Sequence, residues 1–301
     1  MRSSIPESVS IDAPIDAPRA RSRSVWRDAL LRLRRSRSAL VGAVILTLIV
    51  LAVLSAGLLS PYDPLAVDAS IGFLLPGGVH PLGTDILGRD VATRMLYGGR
   101  LSLITGIISV SFALAIGVPI GLASGYYGGN TDRLLMRLVD LMLTFPGILL
   151  ALVIIAVLGP SLLNAMIAVG ISASPTYARV VRSTALSAKT EAYIEAARAL
   201  GCSNPRVIAR HILPNTMAPL IVLGTLGVAG AIIAGAALSF LWLGAQPPQP
   251  EWGALLSEGR SYLRRAWWMT TFPGLAIMLT VLAINLLGDG LRDALDPRLR
   301  T

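Results

Sequence analysis

The reading of this chain turns on Glu191 to Asn215, EAYIEAARALGCSNPRVIARHILPN, a polar interval set between two hydrophobic runs. Tyr193, Ala197 and Leu200 recur at helical spacing, Gly201 can end that helix, and Ser203 or Asn204 can cap a second one beginning at Pro205. The interval therefore predicts helix, turn, helix. Its first helix is short and carries an apolar stripe beside Glu191 and Glu195, which suits docking into a groove on another protein, with an ordinary surface hairpin as the plainer alternative.

The flanking runs set the class. With 54% hydrophobic and 14% charged residues and a mean hydropathy of +0.68, the chain falls outside the range of soluble globular proteins and belongs in a bilayer. Apolar segments at Ala39–Leu59, Leu101–Ala123, Leu138–Leu158, Leu162–Val181, Thr216–Leu243 and Thr270–Gly288 predict an all-α protein of six transmembrane helices. Arg34-Arg35 imitates a twin-arginine signal, but about 21 residues, roughly 32 Å as a helix, follow it, so a retained first span is expected. A net charge of +9 raises the possibility of nucleic acid, yet the basic residues are segregated between spans. Assigned to alternating sides they divide 20 against 6, which places both termini and the Glu191 loop in the cytoplasm.

The expected organisation is a basic, partly disordered cytoplasmic tail over 1–38, amphipathic from Val25 to Leu33. A first span and extracytoplasmic segment cover 39–100, a transmembrane core 101–290 with its loop at 182–215, and a short cytoplasmic tail 291–301. Asp90 is expected to cap a short surface helix with Val91, Met95 and Leu96 on one face. Gly117, Gly121 and Gly125 put small residues on one helical face for close packing, with lining of a substrate path the alternative. Phe145-Pro146 is expected to kink the third span, and Arg133, Arg137 and Asp140 to pair with one another or reach for headgroups.

Were the chain a transporter, it would need an energy source. The centres of the spans are almost free of charge, with Asp140, Arg179 and Asp289 near the cytoplasmic ends, which disfavours a proton- or sodium-driven carrier. The only lysine, in Ala188-Lys189-Thr190, lacks the glycines of a phosphate-binding loop. Single Cys202 excludes an internal disulfide and a cysteine zinc site, and His80 and His211 fall on opposite sides of the predicted membrane. No nucleophile elbow or zinc-protease motif is present. Motive force must come from a partner.

The loop resembles that of the permease subunits of ABC importers: EAA, three residues, Gly, nine residues, then a position followed by x-Leu-Pro. Glu195, Ala196, Ala197, Gly201, Leu213 and Pro214 fall at those places, and RHILPN, with His211 where many importers have Ile, is the form of the dipeptide and oligopeptide branch. LGTDILGRD after His80, PPQPEWG from Pro247 and NLLGDGLRDALDPRLR from Asn285 are also similar to that branch's C-type subunits. The resemblance implies a type I ABC importer permease fold in the cytoplasmic membrane. It further implies an ATPase-docking loop made by Glu191, Tyr193, Glu195, Ala196, Ala197, Leu200, Gly201, His211, Pro214 and Asn215.

Implied partners are a second permease chain in a heterodimer, two ATP-binding subunits that hold ATP and Mg, and an extracytoplasmic peptide-binding protein. No catalytic residue, cofactor or metal is expected in this chain. The same build could import nickel, glutathione or another small solute, and a secondary carrier or membrane scaffold are the rivals from other classes. Two departures bear on substrate: Gly235 and Trp242 stand where relatives usually have Glu and Gly, and Ser174 stands where many have Trp before Pro175.

Overall fold

The computed structural model describes residues 31–295, whose regular elements are helices, with no β pairing among them beyond two isolated bridges. The expectations for the tail up to residue 30, and for the last six residues, lie outside this range. Helix α1 (Arg37–Leu54) is capped by Ser36, whose side chain accepts from the Ala39 amide. The first apolar run then breaks once, at Ser55, whose hydroxyl donates to the Leu51 carbonyl at 2.6 Å, before α2 (Ala56–Leu59).

Helix α3 (Val91–Tyr127) corrects the expected short surface helix. Asp90 does cap it, accepting from the Thr93 amide at 2.7 Å, but the helix then continues for 37 residues, about 55 Å, through the whole second span. Gly98-Gly99 looks like a breaker in sequence. In the fold a Cβ on Gly98 would collide with the Pro250 carbonyl, and one on Gly99 would come within 2.8 Å of the Trp252 ring. The pair lets another segment cross close by, and tertiary contact overrides its low helix propensity.

The expected third span is two helices, α4 (Gly129–Leu143) and α5 (Gly147–Leu158), bent by 94° across Thr144–Pro146. Proline removes the internal hydrogen bond and disfavours a helical residue before it, so the kink foreseen at Phe145-Pro146 becomes a complete break. Helix α6 (Leu162–Lys189) runs past its expected end. Asp140 pairs with Arg179 of α6 at 2.7 Å, and Arg133 bonds Asn130, so the expected pairing within α4 is not formed.

The remaining elements are α7 (Ala192–Ala199), α8 (Asn204–Val207), a π-helical turn (Ile208–Ile212), α9 (Leu213–Phe240), α10 (Trp252–Gly259) and α11 (Trp268–Leu295). Among the described residues four helices are long and apolar enough to cross a membrane, or five if the bent pair is one span. The remaining expected span, α6, does not qualify: Asn164, Ser172, Ser174 and Thr176 dilute its apolar part, and Arg179, Arg182 and Lys189 occupy its second half.

Helix α9 packs on α3, α6, α10 and α11, and α1 lies against α11. The closest seam joins α3 to α6: Cβ atoms on Gly117, Gly121 and Gly125 would stand 2.6 Å from the Ser174 carbonyl, 2.5 Å from the Ala178 carbonyl and 2.7 Å from the Ala185 Cβ. Those glycines serve packing, as their spacing predicted. The seam's foot is pinned by Asp132, whose carboxylate takes two bonds of 2.6 Å from Arg182. This guanidinium, with a smaller contribution from Ser124, holds the Asp132 carboxyl down at about 2 against partial desolvation.

The depressed folded value means that the pair stabilises above the ordinary carboxylate range and stops doing so as pH falls from about 4 toward 2. Asp132→Asn is expected to cost on the order of 1 kcal/mol at pH 6 after solvent screening. That difference in thermal unfolding should close near pH 2; a gap independent of pH would refute the assignment.

At the other end the segments 61–90 and 244–267 form a cap. Asp85, Arg89, Arg94 and Glu258 meet there in a buried ion cluster, and His80 Nδ1 lies 2.9 Å from Asp90. Glu251 is buried at the start of α10, where it accepts from the amides of Gly253 and Ala254 and from Ser102; burial pushes its carboxyl up.

Candidate functional site

Helix α7 is built to present one face outward. Ile194 is fully buried and Ala197 nearly so, and with Val207 and Ile212 they continue the apolar core that runs between α3, α6 and α9. The expected stripe of Tyr193, Ala197 and Leu200 therefore splits. Only Ala197 turns inward, whereas Tyr193 is 45% and Leu200 86% exposed. Ile194 was the missed anchor. The residues at 193, 196 and 200 share the outward face at spacings of three and four.

Beside that face, Glu191 occupies the N-cap position without a side-chain cap, and Glu195 lies exposed in the first turn. Gly201 ends the helix with φ of 82°. Its amide donates to the Arg198 carbonyl at 2.9 Å, while that of Cys202 donates to the Ala197 carbonyl at 3.1 Å. This is a Schellman closure, which needs a left-handed residue at 201. A Cβ there would meet nothing within 4 Å, so the obstacle is backbone strain alone. Gly201→Ala is expected to cost about 1 kcal/mol in thermal stability; a loss above about 3 kcal/mol would mean that a contact is also broken.

The second half of the loop belongs to a transmembrane helix. Ser203 takes the N-cap position without a side-chain bond, and Asn204 lies inside the helix with its carboxamide oxygen accepting from the Tyr126 hydroxyl at 2.7 Å. The chain then passes through the π turn into α9 with Pro214 exposed in the first turn. Half-buried His211 sits in that turn, its ring centroid 6.3 Å from that of Tyr193. Asn215 donates to the Tyr193 hydroxyl and to the His211 carbonyl, both at 2.7 Å, so these three predicted residues form one cluster.

Tyr126 is the functional candidate that sequence reasoning missed. Besides holding Asn204, its ring lies 4.9 Å below the Arg198 guanidinium, and its carbonyl accepts from Lys189 at 2.7 Å. The end of α3 is thus fastened to both halves of the loop, through partners 63 to 78 positions away, beyond any local pattern. Tyr126 is buried as well, so its ring fixes the loop's position and leaves α7's outer face unoccupied.

Residues 117–301 match the family described as "Binding-protein-dependent transport system inner membrane component", and residues 24–76 match "N-terminal TM domain of oligopeptide transport permease C". The chain belongs to this family of inner membrane transport components. The permease is 48% identical to "Dipeptide transport system permease protein DppC" of Alkalihalophilus pseudofirmus, over 92% of this chain and 91% of the relative. It is 46% identical to "Di/tripeptide transport system permease protein DppC" of Pseudomonas aeruginosa, covering 88% and 89%. "Glutathione transport system permease protein GsiD" of Pectobacterium atrosepticum is 44% identical, covering 93% of each chain.

In fold the permease resembles a chain of the inward-facing "MetNI methionine ABC transporter", with a TM-score of 0.53 over 67% of this chain and 96% of that one, at 23% identity. It is therefore a multi-pass inner membrane permease subunit with no reaction of its own to catalyse. The family implies ATPase subunits and a substrate-binding protein beside it.

The positions that depart from the peptide-importer pattern have structural counterparts in the permease. A Cβ on Gly235 would lie 2.5 Å from Thr105 Cγ2, so any larger side chain there would displace the Thr105 methyl. Trp242 holds φ at 61°, a left-handed backbone that glycine adopts without strain. Ser174 is buried, donates to the Ile171 carbonyl at 2.8 Å and backs onto Gly117.

Proposed function

We propose that this permease moves short peptides into the cell, paired with a second permease chain and driven by two ATPase subunits that hold ATP and Mg and dock on the outer face of α7. In this reading six spans, counting α6, leave both termini and the 182–215 loop in the cytoplasm, and a peptide-binding protein delivers cargo to the cap. The observation that carries the cargo assignment is the 48% and 46% identity, across about nine-tenths of the chain, to permeases named for dipeptides and for di- and tripeptides. Support for the docking assignment is the exposed face formed by Tyr193, Ala196 and Leu200 beside Glu195.

Co-purification of the permease with its ATPase subunits, reconstitution with the second permease and the binding protein, and assay of ATP hydrolysis with dipeptide, glutathione and nickel tests the reading. Dipeptide-stimulated hydrolysis is expected. Stimulation by nickel alone would overturn the cargo, and uptake by this chain without any ATPase would overturn the mechanism. Glutathione is included because one relative at 44% identity is named for it.

A further inference from the structure

A groove of about 470 Å³ opens on the side of the bundle where α1 leans on α11 and meets α3 beside Val53 and Gly99. Leu46, Val50, Leu103, Ile104, Ile107 and Val228 line it. Its one hydroxyl, that of Thr225, already donates to the Ile221 carbonyl at 2.8 Å. Ile104 and Ile107 are exposed, so the groove faces the hydrocarbon of the bilayer. A peptide laid against such walls would lose the hydrogen bonds of its amides. An acyl chain loses none, and it restores the dispersion contacts that an empty slot forfeits.

Arg100 stands at the rim. Its Nε and Nη2 donate to the carbonyls of Val53 and Leu54, both at 2.9 Å, and so close the C-terminal end of α1. The Tyr97 ring lies 5.0 Å from the guanidinium. Capping a helix end is a sufficient reason for a basic residue. It leaves the positive charge unanswered, however: Arg89, Arg94, Arg179 and Arg182 each pair with a carboxylate, whereas among the described residues none pairs with Arg100, and its Nη1 donates to none of them.

The length of α1 fixes the depth of this charge. Eighteen residues rise about 27 Å, close to one hydrocarbon thickness, between the Ser36 cap and Leu54. Bonded to the last residue of that span, the guanidinium lies at headgroup level on the membrane face that carries the cap. A lipid-facing cation is stable there when it reaches a phosphate.

We propose that the groove binds an anionic phospholipid of the leaflet on the cap side, with its phosphate on Arg100 Nη1 and one acyl chain between α1 and α3. Charge selects the class. A lipid with a single net negative charge neutralises the unpaired guanidinium, whereas a zwitterionic lipid brings a second cation beside it. The bound lipid fastens α1 to the core whatever the cargo.

The test uses the assembled transporter in nanodiscs of equal phosphatidylglycerol and phosphatidylcholine, extracted into detergent, with the lipid that stays bound measured by mass spectrometry. Phosphatidylglycerol is expected to be retained about fivefold over phosphatidylcholine, the effect of one basic residue at an anionic lipid surface, and Arg100→Gln should abolish that preference. Arg264→Gln, which removes an exposed arginine of the cap, should leave it unchanged. Equal retention of the two lipids by the wild type, or an undiminished preference in Arg100→Gln, would overturn the proposal.

If Arg100→Gln frees the end of α1 and fails to assemble, Ile104→Trp decides, because it enlarges an exposed side chain into the groove. Retained phosphatidylglycerol should fall several-fold while the ATPase subunits still co-purify, and undiminished retention would overturn the proposal. The rival occupant is a transmembrane helix of the second permease. A benzophenone maleimide on Ile104→Cys, in a Cys202→Ser background, should photocross-link to lipid; cross-linking to the second permease chain instead would overturn the assignment.

Discussion

Arg94→Ala is expected to destabilise the protein by about 3–5 kcal/mol, the range found when one member of a buried charge cluster is removed and its partners are left behind. Arg94 is 1% exposed and reaches Asp85 at 2.7 Å and Glu258 at 2.6 Å. Without it, two carboxylates face the single guanidinium of Arg89, which contacts them at 2.6 and 2.9 Å. Arg94→Lys should fall between, because a point ammonium cannot bridge both carboxylates in the plane of a guanidinium.

The internal control is Arg179→Ala. That residue's pair with Asp140 is more than half exposed on both sides, and its loss should cost under 1 kcal/mol. Thermal or denaturant unfolding in detergent reads both. Equal losses for Arg94→Ala and Arg179→Ala would show that the cluster does not hold the cap together.

Leu200→Asp is expected to leave the fold intact yet weaken ATPase docking by about 2–5 kcal/mol, the scale of a central contact in a protein interface. The side chain is 86% exposed, so no packing within this chain is lost. Glu195→Ala should lose a similar amount if its carboxylate meets a basic group of the ATPase. Ile194→Asp provides the contrast, since it buries a charge in the core and should unfold the loop. Retention of ATPase subunits on the tagged permease measures the effect, and wild-type retention by Leu200→Asp would rule out the outer face of α7 as the docking surface.

How far the sequence could be read depended on the range of the interactions. Gly117, Gly121 and Gly125 announced a close helical seam because small residues four apart can only face one way, and α6 is what they meet. Gly201 likewise declared its turn. Phe145-Pro146 signalled a kink, but not its size, 94°. In α7, periodicity proposed Tyr193, Ala197 and Leu200 as one docking stripe; Ala197 instead turns inward beside Ile194, whose burial is decided by Val207 and Ile212, which follow the turn.

The least legible features join distant positions. Asp85 and Arg89 stood out within a string, yet their purpose becomes visible only with Glu258, 164 positions beyond Arg94. Tyr126 was anonymous in sequence for the same reason. At Gly98-Gly99 the low helix propensity of glycine carries no information about the Pro250 carbonyl that crosses it.

The length of α3 has a mechanical consequence. One rod carries Arg94 of the ion cluster near its first turn and Tyr126, fastened to Asn204 and Arg198, in its last. A tilt of 5° about the midpoint of such a lever would displace either tip by roughly 2 Å. Pro119, the one interior residue unable to donate to the helix ladder, marks where that lever can flex.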